Sequence, residues 1–369
     1  MIKELNPKAR FLMGPGPSDV HSRVYKAMST PMLGHLDPQF IQIMDEVMEM
    51  TRSVYQTKNE ITSVISATGT SGMETCLVNI LEPGDTAVVC VSGVFSGRIA
   101  DIAGRCGATV VRVDAPWGTS VDPAQVKDAL KNCKPKLVAM VHAETSTGVL
   151  QPLEEIGRLA HEAGALFMVD AVTSLGGTVL KVDDWGIDAI YSCTQKCLSA
   201  PPGLSPVSFS SKALEVMDSR KTKIQSFYLD LTLLRKYWTG AKRAYHHTAP
   251  ISMFYAAHEA LRMVHEEGLE ARIKRHKQNH EILRDGLESL GFEFLVAPQF
   301  RIPMLNAVKI PAGYDDVAVR ARLLNEYNIE IGAGLGDFAG KIWRIGLMGE
   351  SCTINHINLL LSALKQIIK

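Results

Sequence analysis

Between residues 61 and 210 the chain alternates short apolar runs with stretches of helical spacing. The runs at 61–66, 86–91, 109–114, 137–142, 166–170, 188–192 and 206–210 have the length of strands, and the intervening segment 154–162 repeats its apolar residues at helical intervals. Strands separated by helices predict an α/β fold built on a mainly parallel sheet with helices on both faces. Sheets of that kind hold ligands at the carboxyl ends of their strands. Past Pro250 the pattern changes to two long amphipathic helices, 251–265 and 268–290, then a shorter α/β stretch closing on a helix at 353–368. This predicts an N-terminal arm over 1–20, a large domain over 21–250 and a smaller C-terminal α/β domain over 251–369. There is no repeat, low-complexity tract or long linker, so the domains are expected to pack together.

Composition narrows the classes. With 369 residues, 46% hydrophobic and 21% charged, the chain can bury a large core. Lys plus Arg equals Asp plus Glu at 39 each, so no overall field draws nucleic acid or an anionic membrane, and any anion site must be local. Seven cysteines, an odd number without a Cys-x-x-Cys pair, argue for free thiols in a reducing compartment and against a structural zinc site. The first ten residues hold no apolar signal core, no apolar run is long enough to span a bilayer, and the ending Gln366-Ile-Ile-Lys369 is not a Ser-Lys-Leu peroxisomal signal. A cytoplasmic protein is expected.

The most informative chemistry is an acid on one strand end and an amine after the next. Asp170 closes the apolar run that begins at Ala165, and Lys196 sits in Tyr191-Ser-Cys-Thr-Gln-Lys-Cys-Leu-Ser-Ala-Pro-Pro-Gly203. Pyridoxal phosphate needs a lysine to hold its aldehyde as a Schiff base and a carboxylate to keep its ring nitrogen protonated. Each residue alone has an ordinary alternative, the lysine as a solvated surface residue and the aspartate as a cap or turn former. The surroundings are more specific: Thr145-Ser-Thr-Gly-Val-Leu-Gln-Pro-Leu153, Val169-Asp-Ala-Val172, Ala200-Pro-Pro-Gly203, Ser226-Phe-Tyr-Leu-Asp230, Tyr245-His-His-Thr248 and Arg344-Ile-Gly346. On these runs the chain resembles the alanine-glyoxylate and serine-pyruvate aminotransferases, class V enzymes of the fold-type I pyridoxal-phosphate group.

The resemblance implies a site residue by residue. Lys196 carries the cofactor and Asp170 holds its ring nitrogen. In Ser66-Ala-Thr-Gly-Thr-Ser-Gly72, at a strand-to-helix turn, Thr68, Gly69 and Thr70 match the phosphate loop; animal members of the family have His in place of Thr70. Phe95, Trp in animal members, matches the aromatic ring stacked on the pyridine, with Val172 on its other face. Ser146 matches the residue bonded to the phenolic oxygen, and Gln195 a phosphate neighbour. Tyr245 and Thr248 match residues that reach the phosphate of a neighbouring subunit, which implies a homodimer with shared active sites. Arg344 matches the clamp for the substrate carboxylate, a role that suits the planar guanidinium fork. Read without the family, these are also N-cap, core, turn and ion-paired residues of ordinary kinds.

Other motifs are set aside. Gly332-Ala-Gly-Leu-Gly336 lacks the βαβ unit of a dinucleotide loop, and His246 with His247 lacks the partners of a metal site. His276 and His280, flanked by Lys274, Arg275 and Lys277, read as a solvated helix face. The expected activity is transamination through a Schiff base on Lys196. Alanine or serine is the implied donor and glyoxylate or pyruvate the acceptor, although some relatives act on ureidoglycine or aromatic amino acids. A lyase or cysteine desulfurase on the same fold is the nearest alternative. Phe95 and a cysteine-free 332–340 segment count against it, and a nicotinamide-dependent dehydrogenase would leave Asp170 and Lys196 unexplained.

Overall fold

The computed structural model describes residues 2–368. Seven strands form the main sheet: β1 (Ile61–Ile65), β2 (Thr86–Val91), β3 (Thr109–Asp114), β4 (Leu137–Val141), β5 (Leu166–Asp170), β6 (Ala189–Tyr191) and β7 (Ser205–Phe209). Their spatial order is β1-β7-β6-β5-β4-β2-β3. Only β7 runs against its neighbours, β1 and β6. The carboxyl ends of β1, β2, β4, β5 and β6 therefore share one edge. Every residue of β1, β4 and β5 is buried, as expected of strands covered on both faces. The edge strand β3 exposes part of its length.

Helix α1 (Gly69–Ile80) follows β1 and helix α2 (Val94–Arg105) follows β2. Beyond them lie α3 (Ile251–Glu267), α4 (Leu269–Ser289) and α5 (Ile354–Ile367). A second sheet, antiparallel throughout, has the order β8 (Leu305–Lys309), β10 (Ile342–Gly346), β9 (Gly332–Ala333). Its core unites Leu283 and Leu287 of α4 with Trp343, Ile345 and Leu360, while the larger cluster holds Phe254, Leu261 and Val264 of α3. We therefore propose a domain boundary between α3 and α4, not at Pro250. The sequence pattern changes at Pro250 because long helices begin there, but α3 buries its apolar face against the large sheet's helices.

Residues 11–19 do not hang free as an arm. Phe11–Leu12 pairs in parallel with Ile329–Glu330, and Met13 is buried in the second core. Ser18 then donates its amide to the Gln195 carbonyl at 2.9 Å, so this segment joins the small sheet to the loop that carries Lys196.

The histidines of α4 also depart from expectation. His276 and His280 are buried, not solvated. His276 Nδ1 meets the Arg272 carbonyl at 2.8 Å and Nε2 accepts the Gly349 amide at 3.0 Å; His280 Nδ1 meets Asn306 Oδ1 at 2.6 Å. Charged neighbours in sequence misled the reading because Lys274 and Lys277 lie on other faces of the helix. No helix among the described residues is long and apolar enough to cross a membrane.

Candidate active site

A cleft opens at the carboxyl edge of the main sheet, and its wall includes Thr68, Gly69, Thr70, Phe95, Asp170, Val172, Gln195 and Lys196. They come from four strand ends: Thr68, Gly69 and Thr70 after β1, Phe95 after β2, Asp170 and Val172 at the end of β5, and Gln195 and Lys196 after β6. The topology thus brings together residues up to 128 positions apart in the chain, from Thr68 to Lys196.

Asp170 and Tyr191 face each other across the parallel register of β5 and β6. Tyr191 donates its hydroxyl to Asp170 Oδ2, and the Val172 amide donates to Oδ1 at 2.8 Å. Burial nevertheless pushes the Asp170 carboxyl up to about 7, against the downward pull of those two donors; nearby Glu144 adds to the rise. An acid this deep is awkward without a cation in front of it.

Lys196 lies past β6, and its ammonium donates to the Pro15 carbonyl. Burial lowers its pKa, and the charge of Arg344 works in the same direction. Both favour the neutral amine that a nucleophile or base must be. Gly16 lies so close that a Cβ there would sit 2.4 Å from Lys196 Nζ, at a φ of +102° that side chains rarely adopt. The backbone of this segment is a wall for the lysine.

The opposite end is a helix N-terminus. Thr68 is the N-cap of α1, yet its side chain makes no capping bond, unlike Asp37, Asp122, Ser210 or Asp230 at other helices. The hydroxyl and the first amides of α1 remain available to an anion. At Gly69 a Cβ would touch Cys193 Cβ at 3.0 Å, so glycine lets the helix start against the β6 loop. The Gln195 side-chain oxygen is buried without a partner. A flat, aldehyde-bearing ring with an anionic group fits this set of amine, acid, aromatic wall and anion cradle.

Glu144 is a residue the sequence reading missed. It is fully buried, with Oε2 accepting the Ser96 amide at 3.0 Å and the Ser96 hydroxyl at 3.1 Å. The carboxylate thereby caps the helix that carries Phe95. Its Oε1 takes the Ser146 hydroxyl at 2.6 Å, and Ser146 Oγ accepts the Val94 amide at 3.0 Å. Ser146 is thus turned toward Glu144, and Thr145 forms the cleft wall in its place. The signal available was a lone acid between small polar residues just past a strand, too common to single out.

Arg344 is 6% exposed on β10, with Nε donating to the Ala333 carbonyl at 2.6 Å and Nη1 to the Thr145 carbonyl at 3.2 Å. It forms no ion pair with an acid among the described residues. Burial pulls its pKa down to about 10, which leaves it cationic at neutral pH. Tyr245 and Thr248 do not line the cleft of their own chain; both are exposed, and the Tyr245 ring lies 5.0 Å from His35. Cys193, in the wall beside Lys196, is pushed up to about 12 by burial, so it is a thiol and not a ready nucleophile.

The family model for class-V aminotransferases matches residues 18–339. The chain belongs to the class-V aminotransferases. Class-V aminotransferases are pyridoxal-phosphate enzymes, and the chain is accordingly a transaminase. Among its relatives in this family, the (S)-ureidoglycine–glyoxylate transaminase of Bacillus subtilis is 40% identical, over 99% of this chain and 92% of its own. The alanine–glyoxylate aminotransferase of Rattus norvegicus is 41% identical, over 100% and 90%. The crystal structure of the alanine–glyoxylate aminotransferase from Nostoc sp. superposes with a TM-score of 0.98 at 47% identity, covering 100% of this chain and 98% of that one. Transamination and the fold-type I architecture expected from the sequence hold.

Proposed function

We propose that this cleft transfers the amino group of alanine or serine to glyoxylate or pyruvate, with pyridoxal phosphate held on Lys196. The observation that carries the reading is the meeting of Lys196 and Asp170 in one cleft, with an acid-free Arg344 just behind its wall, bonded to the carbonyl of the wall residue Thr145. The cofactor supplies the electron sink and the carrier of the amino group. Asp170 would hold the ring nitrogen, Phe95 and Val172 the ring faces, and Thr68, Gly69, Thr70 and Gln195 the phosphate. Lys196, kept neutral by burial, would move the proton at the substrate's alpha carbon. Arg344 would grip the alpha-carboxylate of donor and acceptor alike, fixing which bond faces Lys196.

The substrate assignment draws on the names of the relatives, and the ureidoglycine of the B. subtilis enzyme belongs in the same donor panel. Arg344→Lys tests the clamp. It keeps the charge but loses the fork, so kcat/KM is expected to fall on the order of ten- to a hundredfold for every carboxylate substrate, without change in the cofactor spectrum. Loss with one donor only would make Arg344 a specificity residue and misplace the substrate.

The active unit in this reading is a homodimer in the cytoplasm. Phe227 is 67% exposed and stacks on His246 at 5.1 Å; Tyr245, 62% exposed, follows with His35, Met32 and Leu36. An apolar stretch of this kind suits a second copy, which would bring its Tyr245 and Thr248 to the phosphate. Sedimentation is expected to give a dimer, and a fully active monomer would remove this part of the reading. The seven cysteines, all unpaired, suit a reducing compartment.

A further inference from the structure

We propose that Arg98 is the cationic partner of the cofactor's phosphate, an inference that rests on the pyridoxal-phosphate reading above. A phosphate monoester carries close to two negative charges at neutral pH. Against it, the cleft sets the partial positive end of α1, worth about half a charge, and the neutral groups of Thr68, Thr70 and Gln195. The residues a second copy would add, Tyr245 and Thr248, are neutral as well. More than one negative charge is left without an opposing one.

The cleft wall contains two basic side chains, Lys196 and Arg98. Lys196 is committed to the aldehyde end, and Arg344, behind the wall, is anchored on two carbonyls. Arg98 is uncommitted. It forms no hydrogen bond or ion pair with any described residue; its guanidinium rests over the Phe95 ring, 5.2 Å from the centroid. It stands three residues after Phe95 on α2, hence on the same helix face, and shares the cleft wall with Thr70 and Met73 of α1. A long, exposed arginine so placed can turn from the ring to a phosphate seated at the α1 N-terminus, and its fork suits phosphate oxygens.

The test compares two ligands that differ only in the phosphate. Cofactor-free wild type, Arg98→Gln and Arg98→Lys are titrated with pyridoxal phosphate and with pyridoxal, and binding is read from the absorption of the ligand. Arg98→Gln is expected to weaken pyridoxal phosphate on the order of ten- to a hundredfold while leaving pyridoxal nearly unchanged, with Arg98→Lys in between. Inorganic phosphate is expected to compete with the cofactor in wild type and to compete much less in Arg98→Gln. Two results would overturn the proposal: pyridoxal phosphate bound by Arg98→Gln as tightly as by wild type, or an equal loss for both ligands, which would place Arg98 in support of the Phe95 ring. If wild type itself bound no pyridoxal phosphate, the cofactor reading would fail first. Circular dichroism and thermal unfolding check that the variants fold, as an exposed side chain without partners predicts.

Discussion

Lys196→Ala is expected to give a folded protein with neither the visible absorption of bound cofactor nor measurable turnover. The side chain's one hydrogen bond, to the Pro15 carbonyl, ties it to a segment held elsewhere by Met13, Ser18 and the Phe11–Leu12 pairing. Its removal costs little structure. Chemically nothing replaces it: the neighbouring Cys193 is a protonated thiol, and Asp170 is turned toward Tyr191 and Val172. A variant that transaminates near the wild-type rate would remove Lys196 from the reaction and with it the placement of the site.

Asp170→Asn is the second large effect, and it separates two consequences. With cofactor, the amide no longer opposes a cationic ring nitrogen, so the cofactor is expected to stay bound while kcat falls on the order of a hundredfold or more. Without cofactor, the effect is on stability. Burial raises the carboxyl from 3.8 to about 7, so between those values the folded chain holds a proton that the unfolded chain has lost. Stability from this group is therefore fully present below about pH 4, falls as pH rises, and is lost above about pH 7. Between pH 5 and pH 8 the stability of cofactor-free wild type relative to Asp170→Asn is expected to drop by on the order of 1–3 kcal/mol. Urea unfolding of both proteins at the two pH values measures it. A constant difference would mean that Asp170 is already ionised in the cofactor-free fold.

Much of this site was legible because its residues sit in contiguous runs at strand ends. Asp170 and Lys196 each follow an apolar stretch, and a parallel sheet places such ends together without further information. What the sequence did not yield depends on directions within the fold. Ser146 and Thr145 are adjacent, and which of them faces the cleft is decided by Glu144, a buried carboxylate that ties Ser146 to Ser96 of α2. Tyr191 became visible as the partner of Asp170 only through the register of β5 and β6. His276 and His280 have the flanks of surface residues, yet α4 turns that face toward the Gly349 and Asn306 segments. The boundary we propose after α3 differs from the one read at Pro250 for a similar reason, since an amphipathic helix does not announce which core receives it.

The central claim is that this cleft passes an amino group from a donor to an acceptor through a cofactor held on Lys196. Its most direct test is a half-reaction followed in the visible spectrum, with donor and acceptor added in turn to the purified protein. Alanine alone is expected to bleach the cofactor band with one pyruvate released per site, and glyoxylate is then expected to restore the band with formation of glycine. Serine in place of alanine giving pyruvate and ammonia while the band persists, by loss of water and then hydrolysis of the enamine, would contradict the account and make the enzyme a lyase.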